Sequence, residues 1–293
     1  MMKPWLAAIA VIPFALFVSP VRAADDAAVA RGAYIFAAAD CATCHTDTKN
    51  NGAPLAGGRP LVTAFGTFYT PNITPDPANG IGRWSLADFS RALRDGMRRD
   101  GAYLYPVFPF TSYSGMSDGD IADLYAYLMT QKPDPAPDKP DNIKFPFAFR
   151  PLLIVWRMLY FTPGPLQPAA DKSPEWNRGR YLSEAVVHCQ ECHTPRNFLG
   201  AVESGAHAYA GNPNGPDGLR SSNITPDKDT GIGQWSVADI AGLLKTGHTQ
   251  DGDTVNRQMS DVAKGTAVLT DSDRQAIALY LKSLPPLHAT PRN

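Results

Sequence analysis

All four cysteines of this 293-residue chain fall in two short stretches of one form, Cys41-Ala42-Thr43-Cys44-His45 and Cys189-Gln190-Glu191-Cys192-His193. C-x-x-C-H is the attachment pattern of covalent haem. The chemistry asks for that spacing. Two thiols one helical turn apart can form thioethers to a porphyrin edge, and the next imidazole then reaches the iron from the proximal side. Each motif thus commits three side chains, Cys41 and Cys44 with His45, and Cys189 and Cys192 with His193, and together they predict two covalently bound haem c groups. Other uses of paired cysteines compete: disulfides, a single four-cysteine zinc site, or a redox dithiol in each half. Zinc does not require a histidine directly after each second cysteine, and neither pair lies in the strand-helix-strand setting of a thioredoxin-like dithiol.

A histidine-bound haem iron needs a second axial group or an open position, and that choice separates electron carriers from haem enzymes. Met97, Met116 and Met129 are the first-half candidates. Met129 falls in the last helical pattern and reads as core; Met116, in the irregular stretch YPVFPFTSYSGMSDGD, is preferred over Met97. The second half offers Met259, with His248 as its rival at the position that matches Met97. Two His/Met sites, His45 with Met116 and His193 with Met259, would be closed to substrate and suited to passing electrons. Haem propionates are buried charges that need donors. Trp84 and Trp235 are the favoured propionate contacts, because indole offers an apolar face and one N–H. Asn72, Asn223, Arg59 and Arg196 are either further donors or loop staples.

The elements that must hold these residues are also written twice. NITPDPANGIGRWS (Asn72 to Ser85) returns as NITPDKDTGIGQWS (Asn223 to Ser236), and matching landmarks lie 147 to 153 residues apart along the chain. Whole domains therefore repeat. Residues 26–40 and 176–188 read as helices entering each motif. Ser85 and Ser236, each with an acid three residues on, open middle helices that end at glycine. Ser117 with Asp120 and Thr270 with Asp273 open final helices. Gly32 and Gly179 allow a close crossing, with Tyr127 and Tyr280 packed there.

Between the halves, KPDPAPDKPDN reads as an extended Pro-rich linker with solvated charges. It leads into the apolar Phe145–Phe161, interrupted by Arg150, Pro151 and Arg157 and too short to span a bilayer. That stretch is read either as packing between the domains or as a docking face for a partner or the membrane. The 27 Pro and 24 Gly imply long structured loops. A formal charge of −1 is not a nucleic-acid binder's balance. Lys3, the apolar run Trp5 to Val18 and Val21-Arg22-Ala23 have the zones of a secretory signal, so residues 1–23 are expected to be removed and the chain to act in the periplasm.

Taken together, GGRPLVTAFGTFYTPNITPD, GIGRWS, YPVFPFTSYSGMSDGDIADLYAYL, EWNRGRYLSEAVVHCQECHTPRN and ALYLKSLPP resemble the multihaem cytochrome c subunits of periplasmic membrane-bound dehydrogenases, such as alcohol and gluconate dehydrogenases. The resemblance implies a mainly α protein of two tandem class I-like cytochrome c domains with long loops, at 24–133 and 175–293, joined by 134–174. It also implies Met116 and Met259 as axial ligands and a periplasmic dehydrogenase subunit as electron donor. A respiratory oxidase, a quinone or another cytochrome would be the acceptor, with peripheral membrane contact allowed. That family typically carries a third haem domain, whereas these 293 residues hold two attachment motifs. Two readings stand beside it, a dihaem enzyme of peroxidase or thiosulfate-oxidising type and a free soluble shuttle. An enzyme would need an open iron or a cysteine ligand, and every cysteine here is already used in attachment.

Overall fold

Each half is framed by a helix that leads into a C-x-x-C-H motif and a final helix that crosses it. The computed structural model describes residues 25–203, 205–215 and 218–289; the expected export signal lies outside them. In the first half, α1 (Asp26–Ala38) runs into α2 (Cys41–His45), followed by strands β1 (Pro60–Thr63) and β2 (Gly66–Tyr69), then α3 (Leu86–Asp95), the single turn α4 (Phe110–Tyr113) and α5 (Asp118–Met129). A connector holds β3 (Asn142–Ile143) and α6 (Leu152–Tyr160). The second half has α7 (Pro174–Tyr181), prolonged by a wider π turn over Leu182–Val186, then α8 (Gln190–His193), α9 (Val237–Thr246), α10 (Arg257–Thr266) and α11 (Asp271–Lys282). The protein is mainly helical, as expected.

The helix signals in the sequence act as written. Ser85 and Ser236 each close a capping box with Asp88 and Asp239, and Gly96 and Gly247 end those helices in the left-handed conformation at φ 54° and 72°. The crossings depend on glycine. A Cβ on Gly32 of α1 would stand 1.9 Å from the Asp123 carbonyl oxygen of α5, and one on Gly179 of α7 would stand 1.9 Å from the Ala276 oxygen of α11. Tyr127 and Tyr280 lie against these glycines as expected. Arg31 and Arg178 add forked ion pairs to Asp123 and Asp273 on the crossing helices.

The linker is not a free tether. Asp141 Oδ1 accepts from Tyr69 N, Asp138 Oδ1 accepts from Asn72 N, Lys139 donates to the Gly58 carbonyl, and β3 adds antiparallel to β2. Asp138, Lys139 and Asp141 are exposed, as the sequence reads them, and they also serve as hydrogen-bond partners that seam the linker to the first half. After it, α6 turns Leu153 and Trp156 inward. Leu153 packs with Phe68 and Tyr105 of the first half, while Trp156 packs with Phe110 and Ala201 and donates to the Leu199 carbonyl of the second. Arg150 and Arg157 also turn inward, onto the rings of Tyr105 and Tyr103. On the outer face of α6 Met158 is 81% exposed, and Phe145, ahead of the helix, is 90% exposed. One face of this segment thus packs between the halves, as one of the two readings has it, and the other is exposed. Among the described residues, no helix is long and apolar enough to cross a membrane.

Candidate haem sites

The two motifs form short helices, α2 and α8, entered through a residue in the left-handed conformation: Asp40 at φ 51° and His188 at φ 47°. Aspartate and histidine are among the few non-glycine residues that tolerate this geometry. The bend turns the chain sharply from α1, or from the π turn, into the motif. No disulfide joins the four cysteines. Burial pushes the thiols of Cys41, Cys189 and Cys192 up to about 12, with neighbouring negative charge adding to it.

Each motif histidine is fixed by a backbone carbonyl. His45 Nδ1 lies 2.8 Å from the Pro71 oxygen, and His193 Nδ1 lies 2.7 Å from the Ser222 oxygen. A carbonyl only accepts, so Nδ1 carries the proton and Nε2 keeps its lone pair. Burial lowers the pKa of both rings against the opposing pull of these carbonyls, which keeps the imidazoles neutral. A neutral ring with its far nitrogen bare and its near nitrogen tied to a carbonyl is the arrangement of a metal-binding histidine. The donor set therefore fits haem c: paired thiols on one helical turn and a pre-oriented imidazole, twice.

The residue just before each repeated NITP segment supplies that carbonyl, since Pro71 and Ser222 directly precede Asn72 and Asn223. The asparagines are the staples. Asn72 Nδ2 donates to the Asp134 and Ala136 carbonyls, and its Oδ1 accepts from Thr74 N and Oγ1. Asn223 repeats this with Leu287 and Thr225. Both asparagines serve as staples, which ties each histidine-orienting carbonyl to the segment after the final helix of the same half. Sequence reasoning missed the carbonyls. The signal was available in the residue preceding each repeated Asn, although the two differ in type.

The other candidates are placed as follows. Met116 is fully buried, in one continuous core with partly buried Met259, Cys41, Cys189, Trp84 and Trp235. The Arg94 guanidinium holds the segment by donating 2.7 Å to the Met116 carbonyl. Trp84 is fixed through its carbonyl, which accepts from Tyr125 Oη at 2.7 Å. Met129 is core, as read. His248 is exposed, paired across a short bridge with Thr254 just as Met97 pairs with Tyr103. Arg196 is engaged by Glu191, the third residue of the second motif. That glutamate is buried and also accepts from Thr111 and Ser112 hydroxyls of the first half at 3.0 Å each. The two motif entries meet as well: Tyr113 Oη donates 3.3 Å to the Ala39 carbonyl, and its ring packs edge-on against His188 at 5.4 Å.

Residues 29–132 match the cytochrome c family model. Among characterised proteins, the chain is 45% identical over 259 residues to a dihaem c-type cytochrome of Cereibacter sphaeroides, covering 87% of this chain and 85% of that one. It is 42% identical over 259 residues to the cytochrome subunit of fructose dehydrogenase from Gluconobacter japonicus, covering 88% of this chain. It is 41% identical over 270 residues to the cytochrome c subunit of gluconate 2-dehydrogenase from Pantoea cypripedii, covering 89% of this chain. It spans 52% of the former and 60% of the latter, so those two relatives are much longer than the region they share with it.

Proposed function

The chain belongs to the cytochrome c family, and from that premise we propose that it is a two-haem electron-transfer protein that accepts electrons from a dehydrogenase and passes them to a downstream respiratory acceptor. Haem c, when bound, supplies a one-electron couple. The observation that carries the reading is the doubled motif with both histidines held in one tautomer by the backbone. Cys41 and Cys44, and Cys189 and Cys192, would anchor the two groups. His45 and His193 would present Nε2 to iron, with Met116 and Met259 on the opposite faces and Trp84 and Trp235 beside the propionates.

Methionine on both distal sides favours the carrier over a peroxidase-like enzyme, because no position is left for substrate. The meeting of Ala39, Tyr113 and His188 between the motifs supports transfer within the chain. The two crossed helix pairs support a division into domains at 24–133 and 175–293, and the signal-like zones of residues 1–23 support a periplasmic location. The cytochrome subunits of fructose and gluconate dehydrogenases among the relatives support a dehydrogenase donor. The uncovered face of α6 supports a protein partner, since Arg150 and Arg157 point inward and leave the face apolar rather than cationic.

The test is expression with the c-haem attachment machinery, followed by haem quantification and resting-state spectroscopy. Two covalent haems per chain, both low-spin, with one thioether–ferric charge-transfer band lost in Met116→Ala and the other in Met259→Ala, are expected. A high-spin haem in the resting wild-type protein would sink the carrier reading; unchanged bands in Met259→Ala would reject that ligand.

A further inference from the structure

Within each half, two helices after the motif open on a capping Ser or Thr, and the two are completed differently. In α3 and α9 the N3 aspartate folds back onto the N-cap N–H, Asp88 to Ser85 at 3.0 Å and Asp239 to Ser236 at 2.8 Å. In α5 and α11 the N-cap side chains of Ser117 and Thr270 still accept from Asp120 N and Asp273 N. Their own N–H groups, however, donate to a tyrosine of the opposite half. Ser117 N reaches Tyr181 Oη at 3.0 Å, and that hydroxyl donates to Asp120. Thr270 N reaches Tyr34 Oη at 3.0 Å, and that hydroxyl donates to Asp273 at 2.6 Å. Each tyrosine is thus inserted into a capping box that belongs to the other half.

The packing is exchanged in the same way. Ser117 directly follows Met116, and Gly115 on its other side lies so near the π turn leading into the second motif that an added Cβ would be 3.0 Å from Ala185 Cβ. The Thr111 and Ser112 hydroxyls of the same segment bind Glu191 inside that motif. Conversely, Gly265 of α10, the helix that carries Met259, sits on the end of α1, where an added Cβ would be 2.3 Å from the Ala37 oxygen. Each methionine-bearing segment therefore rests on the helix that leads into the other half's motif.

We infer that Tyr34 and Tyr181 are positioning residues acting across the halves, each holding the methionine-bearing segment, and through it the axial ligation, of the opposite haem site. This rests on the reading of Met116 and Met259 as axial ligands. The two links differ in length. Tyr181 grips the residue next to Met116, whereas Tyr34 grips Thr270, eleven residues beyond Met259. Tyr181 therefore has the larger influence on its haem.

The experiment uses the ferric, haem-loaded protein titrated with imidazole as a competing ligand, following the thioether–ferric band, together with redox titration of both haems. Met116→Ala identifies which component belongs to the first site. Tyr181→Phe keeps the ring and removes one hydrogen-bonding hydroxyl, so imidazole should displace the first-site methionine roughly fivefold more readily. The second site should be unmoved. Tyr34→Phe should produce a smaller effect at the second site alone. Asp120→Ala, which removes the acceptor that orients the Tyr181 hydroxyl, should shift the first site in the same direction and serves where Tyr181→Phe folds poorly. If Met116→Ala leaves both bands in place, the axial reading fails and the inference falls with it. If Met116→Ala removes one band but the tyrosine variants affect their own half, both halves or neither, the axial reading stands and the cross-half role is overturned.

Discussion

Replacing Asp40 by asparagine should make the protein more stable at neutral pH, even though the carboxylate is hydrogen-bonded. Asp40 enters the first motif in the left-handed conformation and accepts from Thr43 Oγ1. The charged groups facing it are Arg59 from the following loop and Asp261 and Lys264 from α10. Burial dominates: it pushes the carboxyl up to about 6 from 3.8, with Asp261 adding to the rise and Thr43, Arg59 and Lys264 opposing it. The folded chain therefore holds this proton more tightly than the unfolded one. The stability linked to it is fully present below the unfolded pKa and is lost as pH rises through about 6. A difference of about two in pKa is worth roughly 3 kcal/mol, reduced to about 2 kcal/mol for the part of the group that water still reaches. Asparagine has the same shape, can accept from Thr43 and tolerates the positive φ, so it removes the cost of ionisation and little else. Urea unfolding of the haem-loaded proteins should show Asp40→Asn more stable by about 2 kcal/mol at pH ~7.5, and within about 0.5 kcal/mol of wild type at pH ~4, with a common denaturant slope. A variant that is no more stable at neutral pH, or that keeps the same advantage at both pH values, would refute the reasoning.

Two further outcomes follow from the packing. Gly32→Ala should cost about 3 kcal/mol, because the added Cβ meets the Asp123 backbone rather than a movable side chain; denaturant unfolding checks it, and a loss below about 1 kcal/mol would mean that α1 can shift freely. Glu191→Gln should leave Arg196 without its carboxylate partner and destabilise the junction by about 2 kcal/mol. It should also raise the second haem's potential by removing a buried negative charge, which a redox titration of the two haems would detect as a shift confined to one of them.

Much of this protein is legible in the order of its residues. The thioether spacing, the duplicated loops, the capping residues and the crossing glycines are all local signals, and a motif of five residues or a capping box states its chemistry within one or two helical turns. Met116 can be singled out because an irregular stretch before a final helix is a place from which a side chain can reach inward, and it is completely buried. The linker charges are not legible in this way, since nothing local reveals that Asp138 and Asp141 meet Asn72 N and Tyr69 N. Nor is the role of the NITP repeat: its asparagines read equally as propionate donors or staples, whereas as staples they stand directly beside the backbone carbonyl that meets each motif histidine.

Residue types and their spacing alone dictate that C-x-x-C-H occurs twice and that one helical unit is written twice. They do not reveal that the copies are interlocked, with Tyr34 and Tyr181 each completing a helix cap in the other half and Glu191 held by hydroxyls from across the junction; that is a property of the assembled fold. The reason is physical. A repeat specifies what each copy can do alone, because its caps and crossings join residues within one copy. The hydroxyl of Tyr34 finds its partner 239 residues away, and a bond at that separation exists only once both halves have been brought into one core.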